Sequence, residues 1–199
     1  GATTEDLVEA LRAFAAGQRR PDVAVGRREP GARRRVAFVC SGQGNQWWGM
    51  ARELLASSAV FRGVMEECDG LLREHVSWSL LDELARSEQE TRLERTEIAQ
   101  PAIFALQVGL AAVWRSWGIK PDAVVGHSIG EVAAAHLAGA LSLAEAVRVV
   151  AARATSMQDT FGKGAMASVE LPVETIEAVI APFGGRLSVA ATNAPDVTV

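Results

Sequence analysis

The chain has 199 residues, 49% hydrophobic and 22% charged, which fits one ordinary globular domain or one plus a fragment of another. Its formal charge of −4 gives no electrostatic case for a nucleic-acid partner. Cys40 and Cys68 make neither a disulfide framework nor a metal-ligand pattern, which suits a reducing cytoplasm. No signal peptide opens the chain, and no apolar run approaches the ~20 residues that cross a bilayer, so no membrane contact is expected.

In chain order, the first predicted element is a helix from Thr3 to Gly17. Thr3 and Asp6 have capping-box spacing, Leu7, Leu11 and Phe14 form a stripe, and Gly17 can end it. From Gln18 to Arg35 the chain is rich in Pro, Gly and Arg and reads as a connector, with a short strand at Val23–Val25. Its arginines (Arg19, Arg20, Arg27, Arg28, Arg33, Arg34 and Arg35) suit a solvated linker or a surface for an acidic partner. Val36–Cys40 is a compact apolar run, expected as a strand buried on both faces of a parallel sheet. A polar loop, Ser41–Gln46, follows it, and then a helix from about Trp48 to Leu55.

Val60 to Glu94 predicts a pair of covering helices, through Phe61, Val64, Met65, Cys68, Leu71 and Leu72. Pro101 suits the first turn of a helix apolar almost all round, hence buried, with Gly118 as its stop. Ala123–Val125 predicts a strand, Glu131–Ala140 a helix, and Leu143 to about Met157 another. This alternation points to an α/β architecture. Beyond Gly162–Gly164, strands are expected at Ala165–Val169 and Leu187–Ala191, flanking a helix at Val173–Ile180.

The chemistry centres on Gly126-His127-Ser128-Ile129-Gly130, a G-x-S-x-G pattern between a strand and a helix. That context makes it a nucleophile elbow, where a sharp turn pushes the serine hydroxyl out of the sheet. Gly126 and Gly130 let strand and helix backbones approach where a Cβ would collide. The loop after the first strand fails as a dinucleotide fingerprint, because Trp47 stands at the third glycine position, and it lacks a Gly-Lys-Ser/Thr ending for phosphate. Its place at a strand's C-terminal end fits instead the supply of a backbone N–H to an oxyanion hole, with Ile129 giving the other. Arg153 falls at the edge of the buried face made by Leu143, Ala146, Val147, Val150, Ala154 and Met157. It either packs its stem and pairs with a nearby Asp or Glu, or holds a substrate carboxylate with its planar fork.

These pieces together resemble the malonyl-type acyltransferase family, in particular the acyltransferase domains of type I polyketide synthases. The resemblance rests on four motifs in order: Val36–Trp47, Gln100-Pro101-Ala102, Gly126–Gly130 and Arg153. It implies an α/β-hydrolase-like parallel-sheet core over residues 35–162 and the start of a smaller ferredoxin-like subdomain over 163–199. Residues 1–34 would be the end of a ketosynthase-to-acyltransferase linker.

By the same resemblance Ser128 is the acylated nucleophile, Gln43 and Ile129 are the oxyanion donors, Arg153 clamps malonate, and Gln100 and His127 line the substrate site. No tightly bound cofactor or metal is implied. The substrate is a coenzyme A thioester, malonyl-CoA or methylmalonyl-CoA, and the acceptor is the phosphopantetheine thiol of an acyl carrier protein. Ile129, apolar after the serine, resembles the domains that load malonyl. The family's general-base histidine belongs to a later motif that this chain does not reach. His75, His127 and His136 are poor substitutes, so these residues alone are expected to lack turnover. A serine esterase of the α/β-hydrolase type, or a non-catalytic docking fragment, stays open as an alternative.

Overall fold

The computed structural model describes residues 3–26 and 34–199, so Arg27, Arg28 and Arg33 of the basic stretch lie outside the described residues. The chain divides into two compact units, Gly1–Arg35 and Val36–Val199. In the first, helix α1 (Thr4–Ala15) starts on the expected capping box. The Asp6 N–H donates to Thr3 Oγ1 at 3.1 Å and the Thr3 N–H to the Asp6 carboxylate at 3.0 Å. Gly17, at φ +70°, ends it, and Leu7, Leu11 and Phe14 stand exposed on one face. No strand forms at Val23–Val25. Pro21 and Asp22 make a turn there, with the Val23 N–H on the Arg20 carbonyl at 3.2 Å and Asp22 on the Arg20 guanidinium at 2.9 Å.

The second unit is built on two parallel strands, β1 (Ala37–Cys40) and β2 (Ala123–Gly126), in register from Ala37 opposite Ala123 to Cys40 opposite Gly126. The Asp122 carboxylate fixes the start of the pair by accepting from the Val36 N–H at 2.9 Å. Strand alternation turns Phe38 and Cys40 toward the helices and leaves Val39 77% exposed. The expected burial of β1 on both faces is therefore corrected: helices cover one face of this sheet among the described residues.

Helices α3 (Ala59–Leu72), α5 (Thr96–Ser116), α6 (Gly130–Leu137) and α7 (Leu143–Gln158) pack together and enclose Phe61, Met65, Ile98, Phe104, Ile129 and Val150. Burial pushes the Cys68 thiol up to about 12. Between α3 and α5 lie α4 (Leu80–Ala85) and a loop. The buried Asp69 ties α3 to α4 by accepting from Ser79 Oγ at 2.9 Å and from the Leu80 N–H at 2.6 Å. Helix α2 (Arg52–Ser57) begins later than expected, because Trp47–Ala51 is a turn closed by Ala51 at φ +74°.

One further expectation, about the start of α5, is corrected. The helix starts at Thr96, so Pro101 sits inside it rather than in its first turn. The N–H groups of Ile98 and Ala99 both converge on the Arg95 carbonyl and build a turn before the proline is reached. At 21 residues, α5 is also long and apolar enough on paper to cross a membrane, but two-thirds of that stretch is buried, so it is a core helix.

Past Gly164 the expected helix forms as α8 (Val173–Ile180), followed by a 3₁₀ turn at Ala181–Phe183, but the two expected strands do not form. Ala165–Val169 contributes one bridge, Val169 to Thr198, and the pairing shifts to an antiparallel hairpin of β3 (Thr192–Ala194) and β4 (Val197–Thr198). Pro195 and Asp196 supply the hairpin turn, a stronger local signal than the apolar run at Leu187–Ala191. Ala191 meets the chain end only through Val199, whose N–H reaches its carbonyl at 2.8 Å.

Candidate active site

Both functional loops leave the same edge of the sheet, at the C-terminal ends of the paired strands, where open α/β sheets hold their ligands. The elbow follows β2. Ser128 has φ +53°, the strained backbone a nucleophile elbow requires, and its side chain is exposed. The glycines fit their steric role: a Cβ on Gly126 would lie 2.3 Å from the Gly130 carbonyl oxygen, and one on Gly130 2.1 Å from that of Cys40. The N–H groups of Gly130, Glu131 and Val132 close the first turn of α6 on the carbonyls of His127, Ser128 and Ile129.

That turn leaves the Ile129 N–H without a hydrogen-bond partner among the described residues, while its side chain anchors the bend in the core at 0% exposure. The Gln43 N–H is likewise unpartnered among them. Gly42 packs directly on the elbow: a Cβ there would lie 3.4 Å from Ser128 Cβ and 3.3 Å from the His127 carbonyl oxygen. Two N–H groups without partners, on the residue after Ser128 and on the residue after Gly42, are candidates for an oxyanion hole.

Arg153, one turn before Met157 on α7, completes the constellation. Its Nη2 donates to Ser128 Oγ at 2.9 Å, and its Nη1 donates to Gln100 Oε1. No carboxylate pairs with it among the described residues, so of the two readings open for Arg153 the one with an Asp or Glu partner is not seen. Gln100 is 1% exposed, and its Nε2 donates to Gln43 Oε1 at 3.1 Å and to Met157 Sδ at 3.2 Å. Gln43 Nε2 in turn reaches Thr96 Oγ1 at 3.3 Å. A continuous polar chain thus runs from α5 through the loop to the cation and the serine. Met157 is half-exposed at its rim, a correction to the buried position expected for it.

The histidines do not supply a base here. The ring of His127 lies over Gly42, with Nδ1 2.9 Å from where a Cβ would stand, and makes no hydrogen bond to Ser128. His136 binds the Leu141 carbonyl through Nδ1 at 3.0 Å beside Phe104. His75 lines a cleft beyond α4 with Trp78, Asp82 and Arg92. No cluster of residues suited to a metal occurs among the described residues.

Sequence reading missed Thr96 and Gln107, both on α5. Gln107 Nε2 donates to the Ser41 carbonyl at 2.8 Å. The signal was available: Thr96, Gln100 and Gln107 stand at i, i+4 and i+11, one polar stripe on an otherwise apolar helix. Starting the helix at Pro101 hid it.

Residues 37–199 match the family model described as "Acyl transferase domain". Over its whole length the chain is 46% identical to polyketide synthase GfsE of Streptomyces halstedii, of which it spans 5%. The acyltransferase domain from module 8 of the salinomycin polyketide synthase superposes with a TM-score of 0.86 at 43% identity, covering all of this chain and 47% of that one. A malonyl-CoA:ACP transacylase of Synechocystis sp. PCC 6803 gives 0.71 at 27% identity, over 83% of this chain and 54% of that one. The chain thus spans about half of these solved domains. Its α/β fold with a parallel strand pair agrees with theirs. The chain belongs to the acyl transferase domain family, in the branch carried by polyketide synthases.

Proposed function

We propose that Ser128 is loaded with a malonyl-type group from a coenzyme A thioester and passes it to the phosphopantetheine thiol of an acyl carrier protein. In the first half-reaction Oγ attacks the thioester carbonyl, the C–S bond breaks, and coenzyme A leaves with the serine's proton. In the second, the carrier thiol attacks the serine ester and returns a proton to Oγ. The N–H groups of Gln43 and Ile129 stabilise the oxyanion in both. The proton passes through the histidine that the resemblance assigns to a later motif, so residues 1–199 alone bind and orient without turning over. His127 lines the loop side of the pocket, residues 163–199 begin the smaller ferredoxin-like subdomain, and an adjoining ketosynthase precedes the linker.

The observation that carries this reading is the Arg153 fork, held by the buried Gln100 and touching the nucleophile with no carboxylate partner among the described residues. A guanidinium left half-buried without an anion suits a substrate that brings one, and the free carboxylate of a malonyl group lies at the far end of the acyl chain. An esterase would have no use for it. In competition assays with malonyl-CoA and acetyl-CoA, the full-length protein should load malonyl selectively. Arg153→Ala should lower that selectivity by about 10-fold to 100-fold, the worth of a charge-assisted contact. Equal loading of both groups by the wild type would remove the clamp from the account.

A further inference from the structure

We propose that Gln107 is a positioning residue for acyl transfer, holding the Ser41–Gly42 peptide, one residue before the peptide that carries the Gln43 oxyanion donor; this rests on the acyl-transfer reading above. The Gln43 N–H hangs on a loop that has little reason to keep still. Gly42, just before it, has the freest backbone of any residue type, and Gln43 and Gly44 are exposed. The loop is held instead from both sides. Downstream, the Gln43 side chain is tied to Gln100 at 3.1 Å and Thr96 at 3.3 Å. Upstream, Gln107 Nε2 holds the Ser41 carbonyl at 2.8 Å and lies 3.3 Å from Ser41 Oγ. Fixing that carbonyl fixes the plane of the Ser41–Gly42 peptide. Gly42 is then pressed against Ser128, and the next N–H in the chain is that of Gln43.

A second observation separates positioning from stability. Gln107 Oε1 is shielded from solvent and has no hydrogen-bond partner among the described residues. Reversing the amide would not help, since Oε1 would then face the Ser41 carbonyl oxygen, two acceptors together. A shielded carbonyl left unpaired weakens a fold, so an apolar residue of similar size would serve packing as well or better. The amide's contribution is therefore orientation of the loop.

The test uses the full-length protein with malonyl-CoA, reading the rate of Ser128 acylation by rapid quench and mass spectrometry for wild type, Gln107→Leu and the isosteric Gln107→Met. Displacing a donor should cost less than the ~10²–10³ of deleting one, so kcat for acylation should fall by about 10-fold to 100-fold. KM should change by less than about twofold, the pattern of an interaction made in the transition state. The melting temperature should hold or rise. Acylation at the wild-type rate in either folded variant overturns the proposal, as does a kcat loss that follows a lowered melting temperature in both. If the wild type itself is never acylated at Ser128, the acyl-transfer reading fails and takes this proposal with it, an outcome distinct from the first two.

Discussion

The elbow and the loop proposed to supply an oxyanion donor follow β2 and β1, yet they are held in different ways. At the elbow, position is set by the backbone: Gly126 and Gly130 leave no room for a Cβ, and the α6 turn closes on the preceding carbonyls. The loop depends on side chains borrowed from elsewhere. Thr96, Gln100 and Gln107 of α5 grip it, and Gln46 Nε2 leans on the Leu93 carbonyl at 3.2 Å. Two neighbouring loops can thus be placed differently, one by its local backbone and the other only when a distant helix packs against it.

That contrast can be broken most forcefully at Gly130. Alanine there puts a Cβ 2.1 Å from the Cys40 carbonyl oxygen, a backbone atom that cannot yield. A loss of ~3 kcal/mol or more is expected in chemical denaturation of the full-length protein. On the loop side the same change is milder. Alanine at Gly42 meets His127 Nδ1 at 2.9 Å, the end of a rotatable ring, and should cost only ~1 kcal/mol while lowering the acylation rate. Comparable losses at both positions would erase the distinction.

The support under the loop should also be the more acid-sensitive of the two. Glu83 is buried between Arg86, at 3.0 Å, and Arg92, and so pins the segment that carries Leu93. Burial alone would push its carboxyl up, but the hydrogen bonds from Arg92 and the nearby charges of Arg92 and Arg86 prevail and hold it below the ordinary carboxylate value. A depressed folded pKa means stability that is full above the unfolded carboxyl's titration and is lost as pH falls through the folded value. Hydrogen exchange as the pH is taken below the ordinary carboxylate value should therefore open residues 86–95 and 41–46 before 126–130. Glu83→Gln should abolish that ordering and cost ~1–3 kcal/mol at neutral pH. The smallest effect is expected at Cys68: with its thiol pushed up to about 12, it should stay unalkylated by iodoacetamide near neutral pH while the protein is folded.

The same contrast explains which parts of the molecule were legible in the sequence. The elbow was readable because its geometry is written in neighbouring residues, a strand, two glycines and a helix. The capping box of α1 and the bounds of α8 were readable for the same reason. The Gln43–Gln100–Arg153–Ser128 chain was legible only as separate motifs, since four segments must fold before their side chains meet. Thr96 was missed because placing Pro101 in the first turn leaves it outside the helix, and Gln107 because its partner, the Ser41 carbonyl, is distant in the chain. The strand expected at Leu187–Ala191 failed because apolarity does not choose a partner, whereas Pro195-Asp196 chooses a turn.

The central claim is that one hydroxyl, on Ser128, carries the acyl group. Peptide mapping by mass spectrometry of the full-length protein, after a brief exposure to malonyl-CoA, measures it directly. The account predicts a malonyl adduct on the peptide containing Ser128, absent in Ser128→Ala and discharged when a phosphopantetheinylated carrier protein is added. A protein that loads its carrier while Ser128 stays unmodified, or with Ser128 replaced by alanine, would contradict it.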